Sequence, residues 1–278
     1  MLTKSAVVAA TVQDIEKGSK LINGTRLYYE IKGQGQPLVF VHTFTLDNRM
    51  WDDQFYFFSK FYRCIRYDIR GYGQSALPGT EPYTFQDDLK LLLFSLNISE
   101  PVILVGLSMG ARIASNFALQ FPRFTKALVL ADAQIEGFTF REFKLDDIFN
   151  KAKKKSIDYA KRKWFAHDLF APAKKNKIVA ECLKQMIHFY SGWHFVEKNP
   201  VIHFNPPTWQ LLKDIAVPSL IIYGEQDLPD FIEMCEGAAT KIPRAKKVVL
   251  PDTGHLSNME NPVAFNKELQ EFLEGIPD

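Results

Sequence analysis

Gly106-Leu107-Ser108-Met109-Gly110 is the segment whose residue types and spacing could do chemistry. The apolar run "PVILV" precedes it, and "MGARIASNFALQF", with helical periodicity, follows. A G-x-S-x-G motif has meaning in that strand–turn–helix setting. The turn is so sharp that side chains flanking the serine would collide with strand and helix. It holds the serine in a strained conformation, with its hydroxyl projecting from the carboxyl edge of the sheet. The serine also lies at a helix N-terminus, where free N–H groups favour developing negative charge. A second serine, Ser75 in "GYGQSAL", lacks the second glycine and has no buried strand immediately before it.

A serine hydroxyl is a weak nucleophile at neutral pH. It needs a base, and the base needs an orienting acceptor. Two later segments can supply them in the order serine, acid, histidine. "SLIIYGEQD" reads as a strand and a loop carrying Asp227; "VVLPDTGHL" reads as the next strand and a loop carrying His255. Asp230, on the same loop as Asp227, and Asp132, after "ALVLA", are rival acids. Asp252 is too close in sequence to His255 to face its ring. Stabilising an oxyanion takes two more donors. One is assigned to the backbone N–H of Met109. The other falls in His42-Thr43-Phe44 and is assigned to the Phe44 N–H.

These groups need a scaffold. "KLINGTRLYYEI" places Asn23-Gly24 between alternating apolar runs and predicts a hairpin with a type I′ turn. "PLVFVH", "CIRYD", "PVILVG", "ALVLAD", "SLIIYG" and "KKVVLP" are short continuous apolar runs, as expected of strands buried on both faces. "TFQDDLKLLLFSL" and "MGARIASNFALQF" carry helical spacing. "NPVAFNKELQEFLEG" has Asn261 as N-cap, Pro262 at the first helical position and Gly275 beyond the end. This alternation predicts an α/β fold: a mostly parallel sheet flanked by helices. It breaks between Ala133 and Leu212, where three of four tryptophans and four of six histidines fall. Eighty residues without a strand are too many for a loop. They are read as a helical cap inserted after the sixth strand (133–212), with a core of 1–132 and 213–278.

Composition narrows the classes. The chain has 278 residues, 46% hydrophobic and 24% charged, with net charge +2, which suits a globular protein and argues against nucleic acid as a partner. No apolar run approaches the roughly 20 residues of a membrane span. Cys64, Cys182 and Cys235 are distant and odd in number, so a disulfide framework or cysteine zinc site is not expected. Histidine spacing suggests no metal site, and no H-E-x-x-H occurs. The N-terminal "MLTKSAVVAATVQD" is a poor signal peptide, so the expected location is cytoplasmic. The sequons at Asn23 and Asn97 are read as chance.

The cap is the less legible part. Seven basic residues between Lys151 and Lys163 face one acid, Asp158. They read as the solvated face of amphipathic helices, with Ile148, Phe149, Ala152, Tyr159 and Ala160 turned inward. Because cap helices face the catalytic edge, Trp164, His167, His188 and Trp193 are pocket candidates, beside His42 and Thr43 on the core. Phe165 and His194 are weighed with them.

"VFVHTFTLDNRMWDDQ", "RYDIRGYGQSALP", "VGLSMGARIASNFALQFP", "YGEQD" and "PDTGHLSNMENP" resemble the α/β-hydrolase superfamily, in its capped branch of small esterases and lactonases. The resemblance spans about residue 20 to the C-terminus, apart from the cap. It implies Ser108, Asp227 and His255 as the triad and the Phe44 and Met109 amides as the oxyanion hole. It also implies a cofactor-free serine hydrolase acting on a small-molecule ester or lactone. Aspartate-based dehalogenase and epoxide hydrolase relatives are disfavoured by Ser108. Carbon–carbon bond hydrolysis and perhydrolysis could use the same triad. One departure stands out: relatives usually have His-Gly where this chain has His42-Thr43, and the β-branched residue restricts the backbone there. A ligand receptor with a slow triad is the alternative it raises.

Overall fold

Strands β1 (Glu16–Ile22) and β2 (Thr25–Lys32) meet at Asn23 and Gly24, whose φ angles of 44° and 73° are those of a type I′ turn. The turn is tied down from outside. Asn23 Nδ2 donates to Asp88 Oδ1 at 2.8 Å, and the same buried carboxylate receives Arg70 Nε at 2.8 Å. The computed structural model describes residues 14–277. The N-terminal segment weighed above as a leader lies almost wholly outside them.

The remaining strands are β3 (Pro37–Val41), β4 (Arg63–Tyr67), β5 (Val102–Leu107), β6 (Thr125–Ala131), β7 (Ser219–Gly224) and β8 (Ala245–Leu250). They form one eight-stranded sheet in the order β1-β2-β4-β3-β5-β6-β7-β8. The β1–β2 and β2–β4 pairs are antiparallel and the rest parallel. Strands β3, β5 and β7 are buried at every residue, which is why they read as unbroken apolar runs. Edge strand β8 exposes Lys246 and Lys247, charges that discourage pairing with another sheet.

Helices α1 (Asp52–Phe58), α2 (Phe85–Ser95) and α3 (Met109–Gln120) follow β3, β4 and β5. Thr84 caps α2 by accepting from the Asp87 N–H at 3.1 Å. Between β6 and β7 lie α4 (Asp146–Lys154), α5 (Ile157–Phe165), α6 (Lys177–Phe189), α7 (Trp193–Val196) and α8 (Thr208–Leu211). No strand is described among them, only an isolated bridge between Val201 and Tyr83. Ile148, Ala152, Ala160 and Trp164 are buried, Phe149 and Tyr159 are partly buried, and Lys153, Lys154, Arg162 and Lys163 are exposed. The basic run is therefore a solvated helix face. The segment rejoins the core through α8, where the Thr208 hydroxyl bonds Asn116 of α3.

After β7 come α9 (Pro229–Lys241), α10 (Ser257–Glu260) and α11 (Pro262–Glu274). Asn261 caps α11 through the Ala264 N–H at 3.1 Å, with Pro262 at its start. Among the described residues, no helix is long and apolar enough to cross a membrane. All three cysteines are free thiols.

Among the glycines, the closest backbone approach is where α3 leaves β5. A Cβ on Gly110 would lie 2.1 Å from the Val41 carbonyl oxygen of β3, and one on Gly106 would lie 2.2 Å from the Gly110 carbonyl oxygen. Backbone occupies both places, so no side-chain rotation can relieve a substitution. Gly110→Ala is expected to cost at least ~3 kcal/mol in chemical denaturation, or to abolish soluble expression. A loss below ~1 kcal/mol would contradict this packing.

Candidate active site

Ser108 sits in that turn with φ 53° and ψ −113°, a region costly for a residue with a Cβ. The strained conformation is held from both sides. Its N–H donates to Ala131 O at 2.9 Å, and its carbonyl accepts from Arg112 N at 3.1 Å and Gln134 N at 3.2 Å. The turn is thereby fixed to the end of β6 and the first turn of α3. Ser108 lines a cavity of about 390 Å³ together with His255. Among the described residues its hydroxyl makes no hydrogen bond, including none to the His255 ring. Such bonds often tighten only when substrate is bound.

His255 follows β8 and is buried. Its Nδ1 lies 2.8 Å from Asp227 Oδ2, and its ring centroid lies 4.3 Å from that of Phe231. The other Asp227 oxygen accepts the Leu228 N–H at 2.7 Å. The two loops are stitched together by Gln226 N donating to Thr253 O at 2.7 Å. Glu260 grips the backbone on both sides of the histidine, accepting from Gly254 N at 2.7 Å and Leu256 N at 3.0 Å. Nothing in the local pattern around Glu260 announced this clamp.

The rival acids are occupied elsewhere. Asp132 is fully buried. Its Oδ1 accepts from Gly224 N at 2.9 Å and its Oδ2 from the Ser257 hydroxyl at 2.5 Å. Burial first, then the charge of Asp227, raises its pKa well above the usual carboxylate range. Asp132 therefore joins the ends of β6, β7 and the histidine loop without bonding the imidazole. Asp230 gathers the N–H groups of Arg141, Glu142 and Phe143. Burial would raise its pKa, but those three donors hold it below the usual range.

The loop after β3 presents a free donor beside the cavity. The Thr43 N–H is taken by Met50 Sδ at 3.3 Å. The Phe44 N–H has no partner among the described residues. The N–H of Met109, the first residue of α3, has no place in the helical ladder. Thr43, Phe44, Ser108 and Met109 all border the same cavity. Thr45, at φ 63°, donates its hydroxyl to Phe44 O at 2.6 Å and accepts Trp164 Nε1–H at 2.7 Å. A side chain from α5 thus helps to fix the loop.

Of the other pocket candidates, Trp164 and Thr43 line the cavity, whereas His42, His167, His188 and Trp193 do not. His42 is fully buried beneath the loop: Nδ1 bonds Thr43 O at 2.8 Å and Nε2 accepts from Ile69 N at 2.9 Å. His167 caps a short turn, accepting Leu169 N at 3.0 Å. His188 is exposed on α6, and Trp193 stands outside His194, edge to face at 4.8 Å. Helical spacing does not say which way a side chain between β6 and β7 turns. Tyr72, Arg112 and His194 line the cavity instead. His194 stacks on Tyr72 at 4.5 Å and bonds the Tyr190 hydroxyl at 2.9 Å. Burial lowers its pKa to about 3, so it stays neutral near pH 7. A lone arginine in the apolar helix sequence of α3 was the one available signal for Arg112.

This sheet order, with a strained serine turn at the carboxyl edge and a His–Asp pair on the loops after β7 and β8, is the architecture of an α/β hydrolase. The sequence profile of the alpha/beta hydrolase fold matches residues 36–262, and the chain belongs to that family. It is 24% identical over 273 residues to an (E)-2-((N-methylformamido)methylene)succinate hydrolase of Acinetobacter baylyi, covering 95% of this chain and 100% of that protein. It is 28% identical over 266 residues to a putative non-heme bromoperoxidase of Mycobacterium tuberculosis, covering 90% of this chain and 98% of that one. The structure of an enol-lactonase from Burkholderia xenovorans superposes with a TM-score of 0.77 at 24% identity, covering 92% of this chain and 100% of that one.

His42 carries a stability signature. Burial pushes its pKa down to about 4 from 6.5, so the unfolded chain takes up the proton first. Its contribution is whole above about pH 6.5 and is lost as pH falls toward 4. Asp68, pushed up to about 6 mainly by burial, has the opposite slope, so the test is a comparison of variants. The stability lead of the native protein over His42→Asn should shrink by about 2 kcal/mol between pH 7 and pH 5 in urea denaturation. A constant lead would show that His42 does not stay neutral.

Proposed function

We propose that the protein is a serine hydrolase that cleaves a carboxylic ester or lactone through an acyl-enzyme on Ser108. The observation that carries this reading is the buried 2.8 Å bond between His255 Nδ1 and Asp227 Oδ2 beside a cavity that also receives Ser108. With Nδ1–H held by Asp227, the free Nε2 is the atom that accepts a proton.

Ser108 Oγ attacks the carbonyl carbon as its proton passes to His255 Nε2. The carbonyl π electrons move to oxygen, and that oxyanion accepts hydrogen bonds from the Met109 and Phe44 amides, each worth about 3–4 kcal/mol. Collapse breaks the bond to the alcohol, which leaves with the proton from His255. Water then gives its proton to His255 and attacks the acyl carbon, and Ser108 recovers its hydrogen as the acid departs. Asp227 keeps the ring in the required tautomer and stabilises the imidazolium. In this reading residues 133–212 cap the site, because their Trp164 and His194 wall the cavity. Enol-lactonase activity in a protein of the same fold is compatible with this assignment.

A fluorophosphonate probe is expected to label Ser108 and no other residue, read by peptide mass spectrometry. Ser108→Ala should abolish both labelling and hydrolysis of short p-nitrophenyl esters while leaving the melting temperature within a few degrees. Absence of labelling in folded protein would overturn the nucleophile. Asp227→Asn should lower kcat about 10⁴-fold through the wrong tautomer. A larger loss in Asp132→Asn would move the acid to β6.

A further inference from the structure

Among the described residues Arg112 is a cation with no counter-ion within 4 Å. It sits on α3 one turn after Ser108, its N–H bonding the Ser108 carbonyl, and its side chain lines the cavity that holds Ser108 and His255. Among the described residues its guanidinium makes no hydrogen bond and no ion pair within 4 Å. Its surroundings are aromatic: Tyr72 and Phe85 share the cavity wall, and the Phe85 ring centroid is 6.0 Å from Cζ. Glu136 acts on it through space, but that carboxylate is committed to His203 Nδ1 at 2.6 Å and Asn116 Nδ2 at 3.1 Å.

Arg112 is half-buried, and the two buried arginines of the fold show the contrast. Arg66 is matched by Glu30 at 2.6 Å and Arg70 by Asp88 at 2.8 Å. Burial works against the charged form of Arg112 and lowers its pKa, yet a guanidinium does not give up its proton in a protein. A partly desolvated cation facing a cavity is costly unless something completes it, and its planar fork of donors fits a carboxylate.

Building on the esterase or lactonase reading, we propose that Arg112 is an anion subsite and that the substrate carries a free carboxylate a few bonds from the scissile carbonyl. The aromatic neighbours strengthen that pairing by excluding water, and the one-turn separation along α3 sets the distance between the two substrate groups.

The test uses a matched pair, monomethyl glutarate and methyl 5-methylhexanoate, in which an isopropyl group of similar size replaces the terminal carboxylate. Hydrolysis is followed by pH-stat. The native protein should favour the half-ester by at least about 10-fold in kcat/KM. Arg112→Gln should lower that preference by about 10- to 100-fold, chiefly through KM, and Arg112→Lys should recover part of it. Calorimetric titration of Ser108→Ala with the same two compounds gives a readout independent of turnover. The half-ester should bind at least about 10-fold more tightly, and Arg112→Gln in that background should erase the difference.

Equal kcat/KM for the two esters in the native protein, with Ser108-dependent turnover intact, would overturn the subsite and leave the hydrolase reading standing. Selective, Arg112-dependent binding without turnover of either ester would do the reverse. Equal binding of the two compounds by Ser108→Ala would overturn the subsite whatever the turnover. The native protein's own preference needs no variant to fold.

Discussion

The site is organised around one close approach, that of helix α3 to the neighbouring strand β3. Backbone meets backbone there with no room for a Cβ at Gly110 or, on the strand side of the turn, at Gly106. That closeness leaves Ser108 in a conformation worth about 1–3 kcal/mol of strain. Hydrogen bonds to Ala131, Arg112 and Gln134 hold it there. The geometry that strains the serine also places the first N–H of α3 and the loop after β3 on the same side of the sheet. Strain, placement of the serine at the cavity wall and supply of donors are consequences of a single packing decision.

Behind the serine, two carboxylates in adjacent loops have been given different work by their surroundings. Asp227 has an imidazole and one backbone N–H as partners. Asp132, deeper and raised in pKa, spends its oxygens on the backbone and hydroxyl that position the neighbouring loops. Glu260 performs a similar service around His255. Buried polar groups of this kind must be satisfied, and satisfying them fixes the relative placement of three strand ends.

The loop after β3 and the helices above it form one packing unit. The Phe44 ring meets Tyr72, Phe149, Trp164, Tyr190, His194 and Phe195 at centroid distances of 5.8–6.4 Å, mostly edge to face. The Trp164–Thr45 bond adds a polar tie. A shift in α4, α5 or α7 is therefore transmitted to the backbone that offers the Phe44 N–H. Thr43 fits this arrangement because its own N–H is already used by Met50. The residue that departs from the family's pattern is not the free donor.

By itself the sequence determined the strands, the Asn23-Gly24 turn, the glycine-flanked serine and the order in which Asp227 and His255 follow it. These are local matters: apolar runs reflect two-sided burial, and turn glycines reflect contacts within a few residues. It also located the helical segment by the absence of strands. Only the tertiary structure shows which of Asp227, Asp132 and Asp230 bonds the imidazole, because that depends on which carboxylate faces a ring 28 residues beyond Asp227. It likewise moved His42, His167, His188 and Trp193 out of the cavity wall and brought Tyr72, Arg112 and His194 in. The direction of a side chain on a helix between β6 and β7, and the lack of a partner for a half-buried cation, are properties of elements meeting across the chain. No spacing within one element carries them.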